Sequence, residues 1–148
     1  MKDQKDTIKQ VIDYIEDNLE NHISLDTIAQ KTGYSKFYLN RVFTRQTGIT
    51  IYKYLQNRRL TTAAEKLVHS RKPITTIAYE AGYDTQQSFT LAFKQLYGYP
   101  PNTYRKLGTF IPRQKRITLQ SAKKSTDISL CYILLTLTQN SGKKEAAA

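Results

Sequence analysis

The densest chemistry in this chain is cationic. Between residues 31 and 72, ten Lys or Arg stand against a single acid, Glu65, giving a local net charge of +9. Tyr34, Phe37, Tyr38 and Phe43 are interleaved with them. Ammonium and guanidinium groups neutralise phosphates, and aromatic rings offer apolar contact to bases and sugars, so the pattern suits a nucleic-acid surface built over a core. A solvated helix face has the same composition, and the block alone leaves both readings open. Other chemistry is poorly supplied. His22 and His69 each lack a second ligand at metal spacing, and Cys131, the one cysteine, has no His near it in sequence. No nucleophile elbow, phosphate loop or plausible carboxylate pair occurs, so neither an enzyme nor a cofactor or metal site is expected. Nor is an RNA-binding module evident.

The whole chain of 148 residues carries 23 Lys or Arg against 12 Asp or Glu, a net charge of +11. That excess implies a polyanionic partner, nucleic acid or an acidic membrane face, without choosing between them. The charge is unevenly placed: residues 1–30 sum to −4, residues 73–107 to +1 and residues 108–148 to +5. The polar start MKDQKDTIKQ argues against a cleaved secretory signal. The longest apolar-rich run, residues 128–137, falls well short of the ~20 residues a spanning helix needs. The expected compartment is the reducing cytoplasm, with no membrane partner.

The elements that must position the cationic block read as helices with short breaks. Ile8, Val11, Ile12, Ile15 and Leu19 make one apolar stripe at helical spacing. Ser24 is a natural N-cap for a short helix ending near Gly33, and Ser35 opens another, with Leu39, Val42 and Phe43 inward and Gly48 at its end. Thr50 starts a long helix that buries Tyr54, Leu55, Leu60, Ala63, Ala64 and Leu67 and stops before Pro73; about 18 residues make it ~27 Å long. Pro73 is placed as the first residue of the next helix, which ends near Gly82. Asp84 is expected to cap the following one, holding Phe89, Phe93 and Leu96 until Gly98, and Pro100 and Pro101 open a last short helix around Tyr104. The fold class is therefore all-α, with about seven helices.

Two of these segments repeat each other. Ile28-Ala29 and Tyr34-Ser35 recur at an offset of 49 as Ile77-Ala78 and Tyr83-Asp84; after one inserted residue, Leu39, Phe43, Gly48 and Tyr54 match Phe89, Phe93, Gly98 and Tyr104 at an offset of 50. A short helix, a glycine turn and a longer capped helix make up helix-turn-helix grammar, in which the second helix offers its N-terminal half to the major groove. Two helical hairpins packed for their own sake are the structural alternative. Readers in adjacent major-groove segments on one DNA face lie ~34 Å apart, a span that a rigid ~27 Å helix suits as a spacer.

RRLTTAAEKL, ITTIAYEAGYDTQQSFTLAFKQLYG and PPNTYR, with LDTIAQKTGYSKFYLNRVFTRQTG in the first half, resemble the signature of the AraC-type transcription regulators over residues 7–107. Within that family, GYSKFYLNRVF and DTQQSFT are most similar to the MarA, SoxS, Rob and TetD group of stress and antibiotic-resistance activators. The resemblance implies an AraC-type DNA-binding domain over 7–107, with helix-turn-helix units at about 24–48 and 73–98 joined by a connecting helix at about 50–70. It implies a monomer on an asymmetric, bipartite site in double-stranded promoter DNA, recruiting bacterial RNA polymerase from the cytoplasm and nucleoid. An architectural, non-specific DNA binder is the alternative.

The resemblance also assigns roles. On the first reading helix it implies base contacts from Phe37, Asn40 and Arg41, and phosphate contacts from Lys36, Arg45 and the amide end at Ser35. Arg41 has the planar fork that meets guanine O6 and N7 together. Asn40 suits an adenine edge or a phosphate. Phe37, where the group carries Trp, suits thymine methyls or sugars, with a core aromatic as the alternative. On the second helix the matching positions are Gln86, Gln87, Ser88 and Thr90, with Lys94 on the backbone. Leu91 departs from the pattern, since the group has Arg there, and the second half-site is expected to be read more weakly and loosely. Arg58 and Arg59 are expected to face water first, ahead of DNA or an acidic partner, and Arg105 to support the last helix end. The acids of residues 1–20 are expected on a solvated face, with polymerase as the other candidate. Residues 108–148 lie outside the resemblance: 111–124 basic and loop-like, 128–138 strand-prone and apolar around Cys131, and the KKEAAA end disordered.

Overall fold

The computed structural model describes residues 3–119. The apolar run at 128–138, Cys131 and the KKEAAA end lie outside the described residues. Seven helices follow one another: α1 (Gln4–Asp17), α2 (Leu25–Thr32), α3 (Lys36–Thr47), α4 (Ile51–His69), α5 (Ile74–Glu80), α6 (Gln86–Tyr97) and α7 (Pro101–Leu107). No strand occurs among the described residues, so the fold is all-α.

The helices build two hydrophobic cores that share α4. Ile8, Val11, Ile12 and Ile15 of α1, Ile28 of α2 and Leu39, Val42 and Phe43 of α3 close over Ile51, Tyr54 and Leu55 at the start of α4. Ile77 and Ala78 of α5, Phe89, Phe93 and Tyr97 of α6 and Tyr104 of α7 close over Leu60, Ala63, Ala64 and Leu67 at its end. At 19 residues, α4 is ~28 Å long. It is buried on several sides, so its apolar residues do not form one stripe, and Asn57 and Thr61 are buried polar groups where the cores meet.

Two cap assignments shift by one residue. Pro73 is the N-cap of α5, in extended backbone, and Ile74 is its first residue. Thr85, not Asp84, caps α6: its Oγ1 accepts from the Ser88 amide at 3.1 Å, while Asp84 is exposed. The repeat is therefore more regular in space than in sequence, because Thr85 stands 50 residues after Ser35, whose Oγ accepts from the Tyr38 amide at 3.2 Å. The inserted residue is taken up in the turn ahead of the cap.

Arg58 and Arg59 do not face water. Arg58 grips Glu16 of α1 with both arms of its fork, Nε to Oε1 at 2.7 Å and Nη2 to Oε2 at 2.9 Å, and its Nη1 donates to the Gln114 carbonyl at 2.7 Å. The two side chains are only 16% and 9% exposed. Arg59 donates to the Leu19 and Asn21 carbonyls at 2.8 and 2.6 Å, just past α1. Lys66 meets Glu20 and, at 2.5 Å, Glu80 of α5, which Lys72 also holds at 2.8 Å. Of the acids in the N-terminal segment, Glu16 and Glu20 are thus engaged by α4, while Asp3, Asp6 and Asp17 stay on an exposed face, as expected. Arg105, expected to support its own helix end, instead donates to the Leu67 and Lys72 carbonyls and ties down the exit of α4.

Residues 108–119 have no regular structure, yet they run back along α4 from one core to the other. Phe110 packs on the second core, the Gln114 amide donates to Thr61 Oγ1 at 3.1 Å, and Ile117 is buried in the first core with its amide on the Tyr54 hydroxyl at 3.3 Å. Arg116 pairs with Asp13 of α1. This part of the extension is a strap across both units.

Glu16 is the hub of that arrangement. Burial raises its carboxyl, but hydrogen bonds from Arg58 and Tyr54 and the charges of Arg58 and Arg116 outweigh it, so its pKa lies below the ordinary 4.5. The stabilisation is complete above pH 4.5 and is lost as the pH falls through the lower folded value. Glu16→Gln is expected to cost about 1.5–3 kcal/mol at neutral pH. It should also flatten the acid limb of stability in urea titrations run from about pH 7 down to about pH 3. The slope that remains belongs to carboxylates such as Glu80, which Lys66 and Lys72 hold below its ordinary range.

A second prediction concerns Gly82. It sits at φ +85, and a Cβ there would lie 2.7 Å from Arg59 Nη1, whereas Gly33 at φ +78 faces open space. Gly33→Ala should cost about 1–2 kcal/mol for the left-handed backbone alone. Gly82→Ala should cost more, because the Arg59 guanidinium must shift and strain its hydrogen bonds to the Leu19 and Asn21 carbonyls. Equal losses for the two variants in equilibrium unfolding would show that the Arg59 contact contributes nothing.

Candidate nucleic-acid interface

α3 and α6 are both held from behind. On α3, Leu39 and Phe43 point inward onto Ile28 of α2; on α6, Phe89 and Phe93 point inward beside Ile77 of α5. In each unit the preceding short helix ends at a left-handed glycine, Gly33 or Gly82, which lets the chain turn sharply into the next cap. With the i, i+4 aromatic and aliphatic pairs buried, the opposite face of each helix is left to solvent.

On α3, the expected residues Lys36, Phe37, Asn40, Arg41 and Arg45 line one open depression with Leu25, Thr44 and Thr50. Phe37 is 85% exposed, so it is not a core aromatic. Arg41 lies over the Tyr38 ring at 5.9 Å, and Tyr38 in turn stacks on Tyr34 at 5.1 Å. This stack limits where the guanidinium can go without using its donors. Among the described residues no carboxylate pairs with Arg41 or Arg45. Lys36 is different, held 2.8 Å from Asp26 of α2. Asn40 has one end committed, since its Oδ1 accepts from the Ile51 amide at 3.2 Å and so caps α4; its NH2 group is the end that remains. Ser35 spends its hydroxyl on the cap.

On α6, Gln86 and Gln87 are exposed at the first turn, Thr90 is half-buried, and Lys94 is exposed one turn on. Ser88 is exposed but engaged: its hydroxyl donates to the Thr85 carbonyl at 3.0 Å and accepts from the Thr85 hydroxyl at 2.9 Å. Leu91 stands 61% exposed. The first face thus offers three cations, one of them paired, and the second face offers Lys94 alone.

Sequence reasoning missed the link between the two units. Gln56 of α4 donates to the Tyr83 hydroxyl at 3.3 Å, next to the Arg59–Gly82 contact, so one edge of α4 docks on the turn that leads into α6. Nothing in the spacing of Gln56 and Tyr83 signals that contact. The local charge also overstated the free cations, because Arg58, Arg59 and Lys66 all turn inward. Among the described residues no group of His, Cys, Asp or Glu could hold a metal ion, and no helix is long and apolar enough to cross a membrane.

Comparisons with known proteins converge on this arrangement. A family model described as a helix-turn-helix domain matches residues 28–107. The chain is 40% identical over 99 residues to the multiple antibiotic resistance protein MarA of Escherichia coli K12, covering 67% of this chain and 78% of that one. It is 39% identical over 102 residues to the HTH-type transcriptional activator AarP of Providencia stuartii, covering 69% and 76%. Among solved structures, the C-terminal domain of AraT, a response regulator from Geobacillus stearothermophilus, superposes with a TM-score of 0.66 at 30% identity, over 78% of this chain and 90% of that one.

The outward position of Phe37 has a direct consequence for stability. Phe37→Ala should change the unfolding free energy by less than about 0.5 kcal/mol, whereas Leu39→Ala, two residues along and fully enclosed, should cost about 2–5 kcal/mol. Denaturant melts of the two variants side by side check the assignment of the two faces.

Proposed function

The chain belongs to the AraC-type helix-turn-helix regulators, and on that premise we propose that it is a transcription activator that reads promoter DNA as a monomer. Residues 7–107 form the reading domain, and residues 108–148 are an extension to it. α3 and α6 enter adjacent major-groove segments of an asymmetric, bipartite site. Phe37, Asn40 and Arg41 on the first helix, and Gln86, Gln87, Ser88 and Thr90 on the second, meet base edges. Ser35, Lys36, Arg45 and Lys94 hold phosphates. The observation that carries this reading is the pair of spatially equivalent helices, each capped and buried on one side, with the N-terminal half of the other side left open.

The chemistry divides by residue. Arg41, unpaired by any described acid and steadied by Tyr38, can present two parallel donors to guanine. Asn40 can give only its NH2 group without releasing α4, so an acceptor, a phosphate oxygen or a base N7 or O6, is its partner. Lys36 must share itself between Asp26 and a phosphate, which weakens its contribution. Ser88, whose hydroxyl hydrogen is already given to the Thr85 carbonyl, meets a base edge as an acceptor.

Activation, rather than repression, is supported by the likeness to the transcriptional activator AarP, and a link to stress or multidrug-resistance genes by the likeness to the multiple antibiotic resistance protein MarA. Activation would proceed by recruiting RNA polymerase at such promoters, in the cytoplasm and at the nucleoid.

The test is selection of bound duplexes from a random library at ~150 mM salt, where purely electrostatic binding is weak, with wild type and Arg41→Ala in parallel. The expected result is two sequence blocks about one helical turn apart. Arg41→Ala should lose about 1–3 kcal/mol of discrimination in one block only. Absence of any enriched motif would leave binding by charge alone, and the architectural reading would stand in its place.

A further inference from the structure

We infer that the second recognition helix reads A·T pairs, with Leu91 seated against a thymine 5-methyl group and Gln87 on an adenine edge beside it. The inference rests on the DNA-reading role proposed above and gives that role a base composition.

The internal repeat fixes where Leu91 points. It is the sixth residue of α6, as Arg41 is the sixth of α3, and the two helices begin from equivalent side-chain caps. Phe89 and Phe93 are buried as Leu39 and Phe43 are. Leu91 therefore projects from α6 in the direction in which Arg41 projects from α3 into its open depression. It lies one helical turn beyond Gln87, so the two side chains are neighbours on the same face.

A single exposed leucine is ordinary on a protein surface. This one is set apart by its company. Gln86, Gln87, Ser88, Lys94 and Gln95 are the exposed side chains around it, all polar, and the residue sits where the first unit has the guanidinium of Arg41. Among major-groove edges only thymine offers an apolar group; guanine offers two acceptors, cytosine a donor, and adenine an acceptor and a donor. Leu91 can satisfy none of those polar atoms, and pressed against them it would strip their water without return. Opposite a thymine methyl it buries apolar surface on both sides. Gln87, one turn earlier, has the carboxamide that pairs with adenine N6 and N7.

Both side chains thus favour A·T pairs for different physical reasons. Loss of the arginine charge weakens the second unit's hold on DNA, as the sequence suggested, but an exposed leucine in that place makes the block selective rather than loose. Phosphate attraction there falls to Lys94, so a larger share of the discrimination rests on base edges.

The experiment uses the full chain and the duplex selected as described under the proposed function. Each thymine of the second block is replaced singly by deoxyuridine, which removes the 5-methyl group and leaves Watson–Crick pairing intact. Affinities are measured by fluorescence anisotropy for wild type and for Leu91→Ala, with a thermal melt of each protein. One replacement is expected to weaken wild type about fourfold, the worth of one buried methyl group, and to leave Leu91→Ala indifferent to the same change. Because the methyl is removed from the DNA, the wild-type arm does not depend on how any variant folds. A second block made of G·C pairs, a wild type insensitive to every replacement, or a loss that persists in Leu91→Ala would each overturn the inference while leaving sequence-specific binding in place. A wild type that selects no sequence overturns the DNA-reading role itself, and this inference with it.

Discussion

Everything in this fold depends on one helix belonging to two cores. The first half of α4 completes the core around α1 and α3, and the second half completes the core around α5, α6 and α7. A 19-residue helix is stiff on its own scale, but its roll and tilt against each core set the directions in which α3 and α6 point. What pins that roll is polar. Arg58 and Arg59, adjacent on α4, reach the N-terminal segment at Glu16 and at the Leu19 and Asn21 carbonyls, and Arg59 also fills the space that Gly82 leaves open. Planar guanidinium groups with several donors in fixed directions suit this task better than lysines would.

The strap at 108–119 closes the same joint from another side. It lays Phe110 on one core and Ile117 in the other, and between them Gln114 exchanges hydrogen bonds with Arg58 and Thr61. Glu16, Tyr54, Arg58 and the Ile117 amide form one connected polar cluster, in which burial and the Glu16 charge keep the Tyr54 hydroxyl protonated. Such clusters are costly if one member is lost and specific in geometry when complete. The Glu20–Lys66–Glu80–Lys72 chain adds a more exposed tie between the segment after α1 and α5. The gap between the two units is thereby bridged mainly by charge and hydrogen bonds, while each unit is held together mainly by apolar packing.

The open faces of α3 and α6 are built alike and chemically unlike. The first carries guanidinium groups, one of them braced on stacked tyrosines, and an asparagine shared with the start of α4. The second carries carboxamides, hydroxyls and a leucine, with one lysine. Duplication thus supplied two equivalent scaffolds, and substitution on the outer faces separated their chemistry. Charge brings a protein to DNA with little regard for sequence, whereas base-edge contacts discriminate, so under the proposed function a charged first unit and a nearly neutral second one would divide those tasks unequally.

The helices, their order and the repeat were legible in the chain alone. These rest on local signals: Ser24, Ser35 and Thr50 as caps, Gly33, Gly48 and Gly98 as stops, and apolar residues at helical spacing, all acting within a turn or two of the chain. The cap at Thr85 was missed by one residue because Asp84 has the same capping chemistry, and only the backbone path chooses between them. The outward faces of α3 and α6 were legible for the same local reason, since burying Leu39 and Phe43, or Phe89 and Phe93, leaves the opposite side free. The fate of the long polar side chains was settled by packing between elements far apart in the chain. Arg58 lies 42 residues from Glu16 and 56 from Gln114, and Arg105 lies 38 from Leu67. A flexible charged side chain carries no periodic signature of its partner, so whether it meets water, DNA or a buried carboxylate depends on which surfaces folding brings within its reach.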